Sequence, residues 1–339
     1  MRAVQIERPG VVRVVEVPDP VPAAGEVLVS VGACGICGTD LHILDGEFPP
    51  APYPIVPGHE AAGSVVALGE NVEGISLGAR VGIDPSLFCG ACEFCRDGRG
   101  NLCAAWGAVG DTRDGALAEL VCVPQQNLYP IPAEMDFQSA ALIEPVSCAV
   151  HALDRLSLRV GDETLVCGAG TMGLIMASLL RKAGAARVAL VDINEERLGK
   201  AAELGFTDSA PSIEALSAHR PGFDKVIDAT GVPAVIQQGL ETVRKGGTLL
   251  IFGVAPPGAQ VWLEPFRIYN EEITVIGSMA VLDSYDRALQ LVAGGVIDTR
   301  AIVTHTYVLD EFEDAMEAAR RGSGLKVQVL PSPMVGAGI

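Results

Sequence analysis

From residue 1 to about 147 the apolar positions come in short runs, alternating or continuous, and each run ends at glycine or proline. Residues 11–17, 26–33, 61–68 and 118–123 are examples, and residues 1–9 read the same way, as a strand closed by a turn. Short runs of period two between turn residues predict β-strands, so this part is expected to be all-β or α+β. Near residue 150 the pattern changes. Residues 164–168 form a continuous apolar run, a buried strand, and 172–183 carry apolar positions at helical spacing. A second strand (187–192) and a second helix (195–204) follow. Strands at 225–229, 248–252 and 273–277 continue the series, with helical stretches between them. Strands alternating with helices predict an α/β unit built on a doubly wound parallel sheet. Residues 285–293 and 311–320 read as helices and 326–330 as a last strand; 331–339 show no period.

Composition narrows the class. With 49% hydrophobic and 19% charged residues, the 339-residue chain can bury the cores of about two domains, and disorder is not expected. A formal net charge of −18 repels phosphate backbones and anionic lipid surfaces, which excludes nucleic acid and membrane as partners. The N-terminus carries no basic stretch followed by an apolar core, and no run of about 18 apolar residues occurs, so a cytoplasmic protein is expected. Nine cysteines in such a protein point to metal binding or catalysis rather than to disulfides.

The first motif lies where strand 164–168 meets the next helix: Gly168-Ala-Gly170-Thr171-Met172-Gly173. The first glycine permits the tight turn, the second lets backbone approach a pyrophosphate, and the third lets helix and strand pack closely. The opening of the helix, at Thr171 and Met172, then meets the phosphate charge. Asp192 ends the following strand, where a carboxylate accepts hydrogen bonds from ribose hydroxyls and repels a 2′-phosphate. Arg197 stands nearby, but the retained acid favours NAD over NADP. The expectation is a Rossmann-type nucleotide domain.

The second motif is Cys89-x2-Cys92-x2-Cys95-x7-Cys103. Four thiolates so close in sequence can close a tetrahedral shell around Zn²⁺, a structural site with no open position. Cys34, Cys122, Cys148 and Cys167 lie in apolar or glycine-rich stretches and read as small core residues.

The sharpest features of the first half are Gly35-Ile-Cys37-Gly-Thr39-Asp40-Leu-His42 and Gly58-His59-Glu60. With the cysteine lobe, Glu144-Pro145, the glycine motif and the stretch from Pro265 to Ser278, they resemble the zinc-dependent medium-chain dehydrogenases over nearly the whole chain. Within these the sequence is most similar to the polyol branch that includes sorbitol dehydrogenase. The resemblance implies a GroES-like catalytic domain at 1–147 with its zinc lobe at about 86–106. It also implies an NAD-binding Rossmann domain at 148–285 and a segment at 286–339 that returns to the catalytic domain.

It implies a second, catalytic zinc as well, making two per chain. Cys37, His59 and Glu60 would hold it. Glu144, standing where related alcohol dehydrogenases use a second cysteine, would exchange onto it or act through water. A zinc with three protein ligands keeps a position for a substrate oxygen and stabilises the alkoxide, which passes hydride to NAD. Thr39 would bond the reacting oxygen, and the proton would leave through a ribose hydroxyl to His42, whose ordinary pKa suits transfer to solvent. The implied activity is oxidation of a secondary hydroxyl of a polyol or sugar alcohol to a ketone. Threonine dehydrogenases share the wording around Cys37, so L-threonine, or an aminated or phosphorylated polyol, stands as the alternative. A retired enzyme that only binds NAD and zinc is a third reading.

One departure bears on substrate. Sorbitol dehydrogenases carry an Arg–Tyr pair just after the last strand of the nucleotide domain, whereas this chain has Gly277-Ser-Met-Ala-Val281. Sorbitol itself is therefore not implied. Arg267 and Glu119 are candidate polar contacts, with an ion-paired role the simpler expectation. His151, His219 and His305 have no ligand-spaced neighbours and read as structural or surface residues. A homodimer or homotetramer is implied, with edge strands of the nucleotide domain pairing between subunits.

Overall fold

A computed structural model describes residues 1–47, 51–216 and 222–331; His219 and the tail beyond Pro331 lie outside the described residues. The chain forms two compact units. The first comprises Met1–Ser147, Val281–Gly295 and the described chain from Ile302 onward; the second comprises Cys148–Ala280 and Val296–Ala301. The chain thus re-enters the first unit at Val281 rather than at 286. Val281 and Tyr285 are each 1% exposed there. Ser284 Oγ donates to the Ser147 carbonyl at 2.9 Å and lies 2.8 Å from Ser147 Oγ. These contacts fasten the returning segment to the end of the first one.

The main sheet of the first unit runs, in spatial order, Val303–Val308, Lys326–Leu330, Glu26–Gly35, Glu60–Leu68, Arg80–Ile83 and Leu128–Pro130, with Leu120–Pro124 also paired to Glu26–Gly35. The first pair is parallel and the rest are antiparallel. Glu26–Gly35 is central because it can be: Val27, Val29 and Val31 alternate along it and are fully buried. They pack with Ile6, Ile43, Leu117 and Phe312 in one core. Each such side chain contributes about 1.5–3 kcal/mol on leaving water.

Register then brings chemistry together. Gly35, at the end of this central strand, lies opposite Glu60 on one side and Gln328 on the other. The chain continues through Ile36 to Cys37, whose neighbour opens the short helix Gly38–Asp45. Asp40 caps that helix by accepting from the Cys37 amide at 2.7 Å, and Gly46, at φ 77°, ends it in the left-handed conformation.

The second unit holds a six-stranded parallel sheet in the order Ser209–Ala210, Arg187–Val191, Glu163–Cys167, Phe223–Asp228, Val243–Ile251, Thr274–Gly277. Numbered along the chain this is 3-2-1-4-5-6, the doubly wound order that reverses beside the first strand. Helix Thr171–Lys182 follows that first strand, and its residues from Gly173 to Leu180 are all buried. Among the described residues, no helix is long and apolar enough to cross a membrane.

Candidate active site

Three strand ends of the first unit converge. The ligand atoms of Cys37, His59 and Glu60 lie within 4.8 Å of one another. Cys37 is half-buried, while His59 and Glu60 are 7% and 1% exposed. Asp40 ties the two ligand-bearing segments together, since one oxygen accepts from the Cys37 amide and the other from the Gly58 amide at 3.1 Å. Burial pushes its carboxyl up to about 6, against the pull of His59 and the Cys37 amide. On its Nδ1 side His59 faces Asp111 Oδ1 at 3.3 Å, out of line for a good hydrogen bond, and Asp40 Oδ1 at 3.9 Å. Carboxylates on that side of the ring favour a proton on Nδ1. Burial lowers the His59 pKa, but Asp111 and Cys37 overcompensate and hold it well above the usual imidazole range. The pocket therefore attracts positive charge. A cysteine sulfur, an imidazole and a carboxylate grouped in this way suit Zn²⁺.

Lys326 completes the cluster from the neighbouring strand. Its ammonium, 5% exposed, donates to both Glu60 oxygens at 2.7 Å and to the Ile36 carbonyl at 3.2 Å. Burial lowers its pKa, but Glu60, Cys37 and Glu144 outweigh that and raise it. Glu60 reaches this position only because residue 35 is glycine: a Cβ there would lie 2.0 Å from Glu60 Oε2. Glu144 sits in the first turn of helix Ile143–Leu156, 7% exposed, and is outside the group of ligand atoms within 4.8 Å.

Thr39 and His42 lie three apart on helix Gly38–Asp45 and so share a face. Thr39 Oγ1 is 3.9 Å from Cys37 Sγ. His42 Nδ1 is 3.0 Å from Glu47 Oε2, which orients the ring.

The four-cysteine lobe is compact. Sulfur separations are 3.5 Å for Cys92–Cys95, 3.8 Å for Cys92–Cys103 and 3.5 Å for Cys89–Cys103. A tetrahedron with Zn–S near 2.3 Å has edges of about 3.8 Å, whereas a disulfide is about 2.05 Å. Backbone amides also point at the sulfurs. Ala91 and Cys92 donate to Cys89 at 3.4 Å each, and Cys89 and Ala105 donate to Cys103 at 3.4 and 3.3 Å. Such donors favour thiolates, so the lobe fits a closed zinc site. Cys34, Cys122 and Cys167 are buried instead, and burial pushes Cys122 up to about 11 and Cys167 to about 12; Cys148 is half-buried.

In the second unit the glycine turn has the expected construction. Gly168 adopts φ 103°. A Cβ on Gly173 would lie 1.8 Å from the Gly168 carbonyl, whereas one on Gly170 would meet nothing nearer than Arg197 Nη1 at 3.8 Å. Space is thus kept above Gly170 at the start of helix Thr171–Lys182, as an approaching pyrophosphate requires. Asp192 accepts from the Ala169 amide at 2.8 Å and the Asn194 amide at 2.8 Å, with Arg197 Nη1 at 3.7 Å.

Comparison with known proteins decides the family. The profile of the alcohol dehydrogenase GroES-like domain matches residues 23–133, and that of the zinc-binding dehydrogenases matches residues 171–294. D-arabinitol dehydrogenase 1 of Uromyces fabae is 36% identical, over 98% of this chain and 97% of its own. The chain belongs to the zinc-dependent medium-chain dehydrogenases, in their polyol branch. Another relative is an L-threonine 3-dehydrogenase of Shewanella woodyi, 32% identical over 92% of this chain and 94% of its own. A Sinorhizobium meliloti chain described as a zinc-binding dehydrogenase, solved with NADP, superposes with a TM-score of 0.93. It is 37% identical, covering 97% of this chain and 99% of that one.

Within this dehydrogenase, the groups around Cys37, His59 and Glu60 differ in how far the sequence shows them. Asp40 is marked by its place three residues after Cys37, a capping position, but Asp111 and Lys326 carry no local signal. Other candidates are occupied elsewhere. Arg267 donates to the carbonyls of Leu240 and Val243 at 3.0 and 2.8 Å and pairs with Glu271. Glu119 accepts from the Arg2 amide at 2.8 Å. His151 is buried and His305 Nδ1 lies 3.0 Å from Thr304 Oγ1, so neither joins a metal group among the described residues.

Proposed function

We propose that this dehydrogenase oxidises a secondary hydroxyl of a polyol or sugar alcohol to a ketone, with NAD as acceptor and two zinc ions per chain. The reading is carried by the grouping of Cys37, His59 and Glu60 within one ligand-sized space. When bound, zinc would acidify the alcohol and NAD would accept its hydride. The chain's own residues supply the rest. Cys37 and His59 anchor the metal, with Asp40 and Asp111 orienting the imidazole. Thr39 Oγ1, beside Cys37, accepts a hydrogen bond from the substrate hydroxyl and, as the proton crosses, gives up its own to a relay that ends at His42. His42, one turn along the helix and oriented by Glu47, delivers it to solvent. Glu144, buried near Lys326, exchanges onto the metal or holds a water. Asp192, with Gly168, Gly170, Thr171, Met172 and Gly173, binds NAD, and its charge disfavours a 2′-phosphate. A cytoplasmic setting belongs to this reading, because the lobe thiolates must stay reduced. So does a homodimer, supported by the open edge strand Thr274–Gly277.

The L-threonine relative supports a second reading, oxidation of a 2-amino-3-hydroxy acid. Initial rates of NADH or NADPH appearance on a panel of pentitols, hexitols and L-threonine, with and without chelator, decide between them. Chelator-sensitive turnover of a polyol with NAD is expected. Turnover of L-threonine alone would replace the substrate assignment. No turnover on any alcohol, despite tight NADH binding, would overturn the enzymatic reading.

A further inference from the structure

Among the described residues Lys326 is the one buried lysine or arginine. An ammonium has three protons, and here all three are spent: on Glu60 Oε1, on Glu60 Oε2 and on the Ile36 carbonyl, at 2.7, 2.7 and 3.2 Å. A buried ion pair of this kind is no stability device in itself, because an apolar pair of similar volume often does as well. Its position is more telling. Lys326 opens the strand beside Glu26–Gly35, and its third partner is the residue just before Cys37, so it clamps one candidate ligand while fixing the backbone of another. Gly35 leaves the space that the Glu60 carboxylate fills, because a Cβ there would lie 2.0 Å from Glu60 Oε2. A carboxylate with both oxygens already bonded to an ammonium is a weaker metal donor than a free one.

We infer that Lys326 is a positioning residue of the metal centre: by engaging both oxygens of Glu60 it makes that carboxylate an exchangeable metal ligand instead of a permanent one. The inference rests on the metal site proposed above. The test is the cobalt-substituted enzyme, read by its d–d and thiolate charge-transfer bands and by the rate of cobalt loss to a chelator. Lys326→Met frees Glu60, so the bands shift and metal loss slows by on the order of tenfold, the usual size of an effect from a group behind a ligand. In a Glu60→Gln background, Lys326→Met changes neither readout further. That second comparison removes both charges of the pair and keeps the inference open to refutation even if the single variant does not fold, because any further change in that background overturns it. Unchanged bands and loss rate in folded Lys326→Met, or an equal change with and without Glu60, overturn the inference and leave the metal site standing. A wild-type enzyme that binds cobalt in the cysteine lobe alone overturns both.

Discussion

Three glycines illustrate how single positions set the chemistry, because each lacks a Cβ for a different reason. At Gly173 the obstacle is backbone, the Gly168 carbonyl at 1.8 Å, so the strand–helix turn itself must move. Gly173→Ala is expected to cost about 1–3 kcal/mol, visible as a lower thermal midpoint, and to abolish NADH binding. At Gly170 nothing lies within 3.8 Å. Gly170→Ala is therefore expected to keep the wild-type midpoint yet weaken NADH binding at least tenfold, since the methyl stands where the pyrophosphate approaches. Fluorescence titration and calorimetry on the two variants separate these cases. Equal NADH affinity in Gly170→Ala and wild type would remove the pyrophosphate from that turn. At Gly35 the neighbour is a side-chain end, ordinarily free to yield, but Lys326 pins Glu60 from the other side. Gly35→Ala should thus displace the carboxylate and lower turnover by more than tenfold while the cysteine lobe keeps its metal; metal analysis beside initial rates checks it.

At the scale of elements, the lobe from Cys89 to Cys103 is expected to depend on the zinc proposed for it. It contains only the short helix Glu93–Arg96 and the turn Gly100–Leu102, and little of it is buried. Cys92→Ser should reduce zinc from two per chain to one and open the lobe to proteolytic nicking. Lowering pH should release the same ion, because protons compete for the thiolates. A variant that keeps both zincs and resists protease would show that the cysteines hold no metal.

The strongly periodic elements were legible to within a residue or so, as at 285–293 and 326–330. Short ones were not: Gly38–Asp45 and Val303–Val308 carry too few apolar positions to show a period. Strand Val243–Ile251 starts well before its apolar run, because Arg244, Lys245 and two glycines follow its first residue. The site divides the same way. Cys37, His59 and Glu60 sit in contiguous motifs, whereas Lys326 meets Glu60 from 266 residues away, and nothing in Lys-Val-Gln-Val-Leu marks its lysine as buried. Burial of a charge is decided by sheet register, which no local window contains.

For the whole molecule, the open question of scale is how many chains act together, and two forces oppose each other. Thr274–Gly277 is the edge of a parallel sheet, with Val275 44% exposed and neither lysine nor proline to guard it. An unguarded edge is a template for a second strand, and a two-fold axis through it joins two sheets into one. The segment leading into it exposes Trp262, Phe266 and Tyr269, at 66%, 66% and 81%. Each contributes about 1.5–3 kcal/mol if covered. Against this, each chain carries −18. At physiological ionic strength charges more than about 8 Å apart are largely screened, whereas apolar burial is not, so association is the expected outcome. Sedimentation equilibrium at micromolar concentration is accordingly expected to give about twice the chain mass of 35.2 kDa. The balance also fixes a sign: lowering salt lengthens the range of repulsion and should shift the equilibrium toward monomer. Val275→Asp adds like charge at the edge itself and should dissociate the dimer at every salt concentration while leaving zinc content at two per chain. A wild-type protein that stays monomeric across the whole salt range would mean that the edge strand is left open by this chain.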